Sequence, residues 1–368
     1  MLMTPGPTAV PEAVREATSR ELINPDVDPR FREFYDDVVD DLTVVYGIDE
    51  TTDDDADGIA DDDADGNLDH DVVVPGGEGI LGLEAAIASL VEPGTEVLCL
   101  SNGLYGDGFA EFVESYGGEA TLVTTGYDEP LPIDELSRVL EDGDHAIATM
   151  VHCETPTGTL NDLGPALDLF ETHDVLTVVD AVSSLGGVPV PTDRIDVCLG
   201  ASQKCFSAPP GLTTAAISGR AWEAMEERDP SSLYTNFLPW RDVDAGFPYT
   251  HLTTNVVALR EALSLVTSEG IEEVYARHEA AAERCLERGA EIGLEPFPDP
   301  NRSSPTVTAF HVPGRATDLQ RRLRQEHDVV LATGLGDLAD DVLRVGHMGH
   351  CARLDRVDET MDALADAY

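Results

Sequence analysis

Residues 176–212 read LTVVDAVSSLGGVPVPTDRIDVCLGASQKCFSAPPGL. The run LTVVD is apolar until it stops at Asp180, and a second short run, Asp196–Gly200, leads into Ala201-Ser202-Gln203-Lys204. Short β-rich runs bounded by Gly and Pro clusters predict strands. A carboxylate at the carboxyl end of a buried strand lies where open α/β sheets place ligand-contacting groups. These two strands, each with the turn at its carboxyl end, decide the reading of the rest.

Outward from this stretch, the pattern repeats. Further strands are expected at Asp71–Val74, Glu96–Leu100, Ala120–Thr124, His145–His152 and Thr213–Ser218. Helical windows lie between them at Gly79–Val91, Tyr105–Tyr116, Ile133–Leu140 and Leu163–Thr172, after helices at Glu12–Leu22 and Phe31–Tyr46. Seven strands with interleaved helices predict an α/β domain with a mostly parallel sheet. Past Thr250 the rhythm changes to long helical patterns, Asn255–Thr267 and Ile271–Ile292. Short strands (Thr306–His311, Val342–Val345) and helices (Ala316–His327, Arg353–Ala365) follow. The reading is a large domain over 1–254 and a smaller α+β unit over 255–368 that begins with a linking helix.

Lys204 is the only lysine among 22 basic side chains, set against 72 acidic ones in 368 residues and a formal charge of −50. Such a charge repels phosphate backbones and anionic lipid, which excludes nucleic-acid and membrane-surface binding as expectations. With 42% apolar residues the chain still has material for a core. Lys depletion under an Asp/Glu excess suggests adaptation to high internal salt, which screens the self-repulsion. No 20-residue apolar run and no export signal is seen, and six scattered cysteines without a CxxC pair read as reduced thiols of a cytoplasmic protein.

The segment 49–71 belongs to neither kind of element; within it, residues 53–71 read DDDADGIADDDADGNLDHD. Alternating carboxylates with a turn Gly resemble calcium loops. A distal bidentate Glu and flanking helices are not evident, so a solvated acidic loop is favoured and no metal is assigned.

Strand Asp71–Val74 runs into PGGEGILG and a helix, a turn that aims backbone N–H groups at an anion. Gly77–Gly82 also fits GxGxxG, but the next strand ends Cys99-Leu100-Ser101-Asn102 without the acid a dinucleotide ribose requires. Phosphate binding is kept and a dinucleotide oxidoreductase is disfavoured. A strand-end Asp and a lone Lys each have ordinary readings, a helix cap and a surface cation. Here every other side-chain cation is Arg, so Lys204 stands where guanidinium cannot replace an amine. An imine-forming lysine, a carboxylate for a protonated pyridine nitrogen and a phosphate loop together indicate pyridoxal phosphate.

These residues resemble class V aminotransferases of pyridoxal-phosphate fold type I, in the serine–pyruvate and alanine–glyoxylate aminotransferase family. The motifs carrying the resemblance include TPGPTAVP, NGLYGDG, HCETPTGTL, VVDAVSSLGG, GASQKCFSAPPGL and LRVGHMG. It implies the aspartate aminotransferase-like fold, a large α/β/α sheet domain plus a small C-terminal one. It implies that Lys204 forms the Schiff base with pyridoxal 5′-phosphate and shuttles the proton, and that Asp180 pairs with the pyridine nitrogen. Tyr105 would stack on the ring, and Thr155 and Val182 would lie near the 3′-oxygen and ring face. Gly79, Ile80 and Gln203 would contact the phosphate, with Tyr249 and Thr250 reaching it across a homodimer interface. Arg344 would clamp the substrate carboxylate with its planar fork. Two departures stand out: Glu78 and Ile80 occupy positions where the family usually has a hydroxyl, and the acidic insert is unexpected.

The function implied is transfer of an amino group from alanine, serine or aspartate to a 2-oxo acid such as glyoxylate or pyruvate. The absence of a clear second arginine favours monocarboxylic substrates. A lyase or cysteine desulfurase of the same fold type is the alternative, though Cys285 lies in a helix and Cys351 follows Gly-His. A calcium-dependent binding protein built on the insert would leave Lys204 without a purpose.

Overall fold

A computed structural model describes residues 1–48, 69–244 and 246–368. The chain begins with helices α1 (Glu12–Ala17) and α2 (Arg30–Tyr46). The elements β1 (His70–Val73), α3 (Gly79–Leu90), β2 (Glu96–Ser101), α4 (Leu104–Ser115), β3 (Glu119–Thr124) and α5 (Ile133–Asp142) follow. Then come β4 (Ile147–Val151), the short pair β5 (Cys153–Glu154) and β6 (Thr159–Leu160), α6 (Gly164–Thr172) and β7 (Leu176–Asp180). The sheet residues end with β8 (Val197–Ala201) and β9 (Thr213–Ser218), and α7 (Gly219–Arg228) leads out.

The seven-stranded sheet has the order β1-β9-β8-β7-β4-β2-β3. Strands β8, β7, β4, β2 and β3 pair in parallel, and β9 is reversed against both β8 and β1. The expected mostly parallel sheet is therefore present. β4, β7, β8 and β9 are buried along their whole length, as strands covered on both faces must be. Helix α3 is apolar nearly all round, and Gly82 lets it sit against β9: a Cβ there would fall 2.6 Å from Thr213 Cγ2. That close approach fixes the amino end of α3 beside the carboxyl ends of the parallel strands.

Beyond the sheet, α8 (Thr253–Glu269) and α9 (Ile271–Glu291) meet at Gly270. A four-stranded antiparallel sheet of order β10-β11-β13-β12 follows, made of β10 (Glu295–Pro296), β11 (Thr308–His311), β12 (Ala332–Thr333) and β13 (Val342–Val345). Helices α10 (Ala316–Glu326) and α11 (Leu354–Ala367) cover it. One apolar cluster gathers residues from Val14 to Val274, and a second gathers Ala281 to Ala367 together with Met3.

Several expected boundaries shift. Helix α1 stops at Ala17 and not Leu22, because the Thr18 and Ser19 hydroxyls donate back to the Arg15 carbonyl at 2.7 and 3.4 Å and compete with the helix ladder. β4 starts at Ile147, two residues later than expected, and β11 at Thr308. The β5–β6 hairpin, β10 and β12 are two residues long, too short for any hydrophobic period to announce them. Helix α7 was missed although Ser218 caps it, its hydroxyl accepting from the Ala221 N–H at 3.1 Å.

The calcium reading of 53–71 falls outside the described residues except for Asp69, His70 and Asp71. Among the described residues no three His, Cys, Asp or Glu side chains gather as a metal site, and no helix is long and apolar enough to cross a membrane.

Candidate active site

The carboxyl ends of β1, β4, β7 and β8 converge on one cavity of about 510 Å³. Gly79, Ile80, Tyr105, Thr155, Asp180, Val182, Gln203 and Lys204 all line it, brought from five separate segments of the chain. Asp180 is the last residue of β7 and is buried; its Oδ1 accepts from the Val182 N–H at 2.8 Å. Burial pushes its carboxyl up to about 6, against the pull of that N–H and of Lys204. An acid in that state favours a cation brought to it.

Lys204 follows β8 through a turn. Its Nζ donates to the Pro5 carbonyl at 2.9 Å. Burial draws the amine below its ordinary value, and the Asp180 charge opposes the shift. The N-terminal segment is thus a wall of the site: a Cβ on Gly6, which has φ +103°, would fall 2.5 Å from Lys204 Cδ. Thr8 pins that wall, its Oγ1 lying 3.1 Å from Ser207 Oγ and donating to the Lys204 carbonyl at 3.2 Å. Only family resemblance pointed to TPGPTAVP; a contact across 199 residues of sequence leaves no local signal.

Glu154 was also missed. It is fully buried at the end of the β5 strand, where its two oxygens accept from the Gly106 N–H at 2.7 Å and the Tyr105 N–H at 3.2 Å. Burial pushes its carboxyl to about 8 in spite of those donors. It holds the first turn of α4, which carries Tyr105 into the cavity. Thr155, the next residue, shares a short hydrogen bond with the Ser183 hydroxyl. Gly79 packs on the opposite side, where a Cβ would meet Val182 and Ala201 at 3.1 Å.

The turn that opens α3 is built differently from a plain N–H cradle. Glu78 is the N-cap of α3, and its carbonyl accepts from Thr213 Oγ1 at 2.9 Å and from the Leu81 N–H at 2.8 Å. Its carboxylate accepts from Gln203 Nε2 at 3.1 Å. Gln203 Oε1 is buried without a hydrogen-bond partner among the described residues. Ile80 is 44% exposed and brings no side-chain donor.

Arg344, on β13, is buried beside the cavity. Its Nε donates to the Thr333 carbonyl at 2.8 Å and its Nη1 to the Thr155 carbonyl at 3.1 Å. Burial lowers its guanidinium to about 10. Arg344, Tyr249 and Thr250 of the expected set are not among the residues that line this cavity within the chain. Tyr249 Oη accepts from the Gly76 N–H at 3.0 Å and donates to the Gly76 carbonyl at 3.1 Å, and exposed Thr250 donates to Asp26 at 2.9 Å. All six cysteines are buried and free, and burial pushes the Cys285 thiol to about 12, unlike an activated nucleophile.

The sequence model of the aminotransferase class-V family matches residues 71–349. The chain is a class V aminotransferase. Relatives support the same placement. The pyridoxamine–pyruvate transaminase of Mesorhizobium japonicum is 31% identical over 363 residues, covering 95% of this chain and 87% of that one. The alanine–glyoxylate aminotransferase of Oryctolagus cuniculus is 33% identical over 304 residues, covering 79% and 78%. The crystal structure of an alanine–glyoxylate aminotransferase from Nostoc sp. superposes with a TM-score of 0.89 at 29% identity, over 100% of this chain and 94% of that one. The fold is fold type I, and class V aminotransferases use pyridoxal 5′-phosphate.

The ring end of that cofactor fits the aminotransferase cavity. A buried carboxylate raised by burial is matched to a protonated ring nitrogen, and Tyr105 and Val182 line the space a flat ring would take. The phosphate end fits less well. The first N–H groups of α3 suit an anion, but the Glu78 carboxylate opposes one.

Proposed function

We propose that this aminotransferase moves an amino group from a small amino acid, alanine, serine or aspartate, to a 2-oxo acid such as glyoxylate or pyruvate. The observation carrying the proposal is the shared cavity of Lys204 and Asp180 with one arginine, Arg344, anchored beside it. When bound, pyridoxal phosphate supplies the carbonyl that takes up the amino group and the ring that accepts electrons. Asp180 holds the positive charge at the ring nitrogen. Lys204, drawn toward its neutral amine by burial, carries the proton at Nζ between the substrate carbon and the cofactor carbon. Tyr105 covers the ring, and Thr155 and Val182 position its oxygen and face.

Arg344 spends one donor on each of two backbone carbonyls, which orients its remaining N–H groups for a substrate carboxylate. Among the described residues no arginine lines the cavity itself and Arg344 stands beside it, which supports a preference for monocarboxylic donors. Gly79, Ile80 and Gln203 are assigned to the phosphate end, and Tyr249 and Thr250 to the same end in the other half of a homodimer. The division near residue 255, a cytoplasmic setting and adaptation to high salt belong to the same reading. The test is a half-reaction screen that follows conversion of bound cofactor with each amino acid. Reaction with alanine or serine supports the proposal; reaction with dicarboxylic donors alone rejects the monocarboxylic preference.

A further inference from the structure

The lining of the cavity carries two acids, Glu78 and Asp180, and one cation, Lys204. Asp180 and Lys204 serve the ring end. That leaves Glu78 as the charged side chain at the phosphate end, where the ligand itself would bring about two negative charges. The backbone of Glu78 cannot withdraw easily, because its carbonyl is tied to Thr213 and to the first turn of α3. Gln203, the residue expected to donate to a phosphate, has its amide N–H₂ turned to the Glu78 carboxylate. Besides its second amide hydrogen, Gln203 keeps a buried acceptor, Oε1, that has no hydrogen-bond partner among the described residues. A phosphate dianion has no hydrogen to give to either acceptor, whereas a hydroxyl has one. Ile80 adds no side-chain donor to the backbone N–H groups of the first turn of α3, and Tyr249 and Thr250, arriving from a second copy, bring hydroxyls and no charge.

We propose that Glu78, held by Gln203, is a specificity-determining residue that weakens the hold of this cavity on a phosphate dianion. It thereby admits the unphosphorylated pyridoxal or pyridoxamine, whose hydroxymethyl group donates where the phosphate would be repelled. The proposal rests on the assignment of the cavity to a pyridoxal compound. It makes the bound pyridoxal compound exchangeable, with the charge at one end of the pocket setting which form is retained.

The test measures binding to the apoprotein, in its native assembly, of pyridoxal phosphate and of pyridoxal separately, by the absorbance of the lysine-bound chromophore. Wild type is compared with Glu78→Gln and Glu78→Ser. Removing the carboxylate is expected to tighten pyridoxal phosphate by about tenfold or more, the size of one like-charge contact near a surface, and to leave pyridoxal within about threefold. Melting curves of the apoproteins check that the variants fold. Equal affinity of wild type and both folded variants for pyridoxal phosphate would overturn the role of Glu78. Failure of wild type to take up pyridoxal would overturn the admission of the unphosphorylated form. If neither compound gives a band with any of the three proteins, the assignment of the cavity falls and the proposal with it.

Discussion

Asp180 and Asp196 are buried aspartates at opposite ends of the neighbouring parallel strands β7 and β8, Asp180 closing β7 and Asp196 preceding β8. Asp196, just before β8, is saturated. It accepts from the Thr177 N–H at 2.9 Å, from Ser218 Oγ at 2.9 Å, and from two nitrogens of Arg220 at 3.0 Å. Asp180, at the end of β7, accepts from a single backbone N–H in its own turn, with Lys204 as its nearby cation. The same residue type in the same sheet is thus finished at the amino end and left open at the carboxyl end. A buried charge whose partners are complete holds the fold together, and one whose partners are incomplete is kept for a ligand.

Substitutions should separate the two. Asp180→Asn is expected to lower kcat by roughly 10²–10³-fold, because it removes a fixed charge that acts on the reacting ring. The melting temperature of the apoprotein should not fall. Single-turnover kinetics and a thermal melt check the two halves; a melting temperature that drops along with activity would make Asp180 a structural residue like Asp196. Asp196→Asn is expected to do the reverse. It leaves the Arg220 guanidinium without its buried partner and should destabilise by about 2–3 kcal/mol, toward the low end for a broken buried pair because Arg220 is partly exposed. Urea unfolding measures the loss, and activity per folded molecule should be retained.

The two aspartates also mark what could be read without coordinates. The open one was legible: an apolar run ending in a carboxylate, and the only lysine beyond the next run, name Asp180 and Lys204 directly. The parallel order of the sheet followed from the alternation of strands and helices. Asp196 looked like an ordinary acid at the start of an expected strand, since its partners Thr177, Ser218 and Arg220 come from β7 and from the cap and first turn of α7. Glu154 and the Pro5–Gly6 wall were hidden for the same reason. Their roles are contacts made across the fold, and a two-residue strand has no period to reveal it. The Glu78–Gln203 contact lies between: the sequence showed an acid where a phosphate was expected, and only the structure shows which donor it takes.

Acidity offers a finer separation. The Asp180 carboxyl stands at about 6 in the folded apoprotein, above its ordinary 3.8, so the folded state holds this proton more firmly than the unfolded chain does. Stability from this group is therefore present below about pH 4 and is lost as the pH rises through 6. Asp180→Asn removes that dependence. The stability of the apo variant minus that of wild type should grow from near zero at pH 4 to about 2–3 kcal/mol at pH 8. Denaturant midpoints at a series of pH values measure it, and a difference that shrinks with rising pH would mean Asp180 has a partner as complete as that of Asp196.

The smallest effect belongs to the outer end of the Asp196 network. Arg220 also reaches Asp174 at 2.8 Å, but that carboxylate is 92% exposed. An exposed pair competes with water and salt, so its worth is at most a few tenths of a kcal/mol. Asp174 sits at φ +55°, a conformation asparagine tolerates, so Asp174→Asn tests the charge without straining the backbone. The change should move the urea midpoint by no more than about 0.5 kcal/mol equivalent, and molar salt should erase even that. A loss comparable to Asp196→Asn would show that Arg220 is held from the surface inward. The contrast between the saturated and the open aspartate would then depend on a contact that salt can remove.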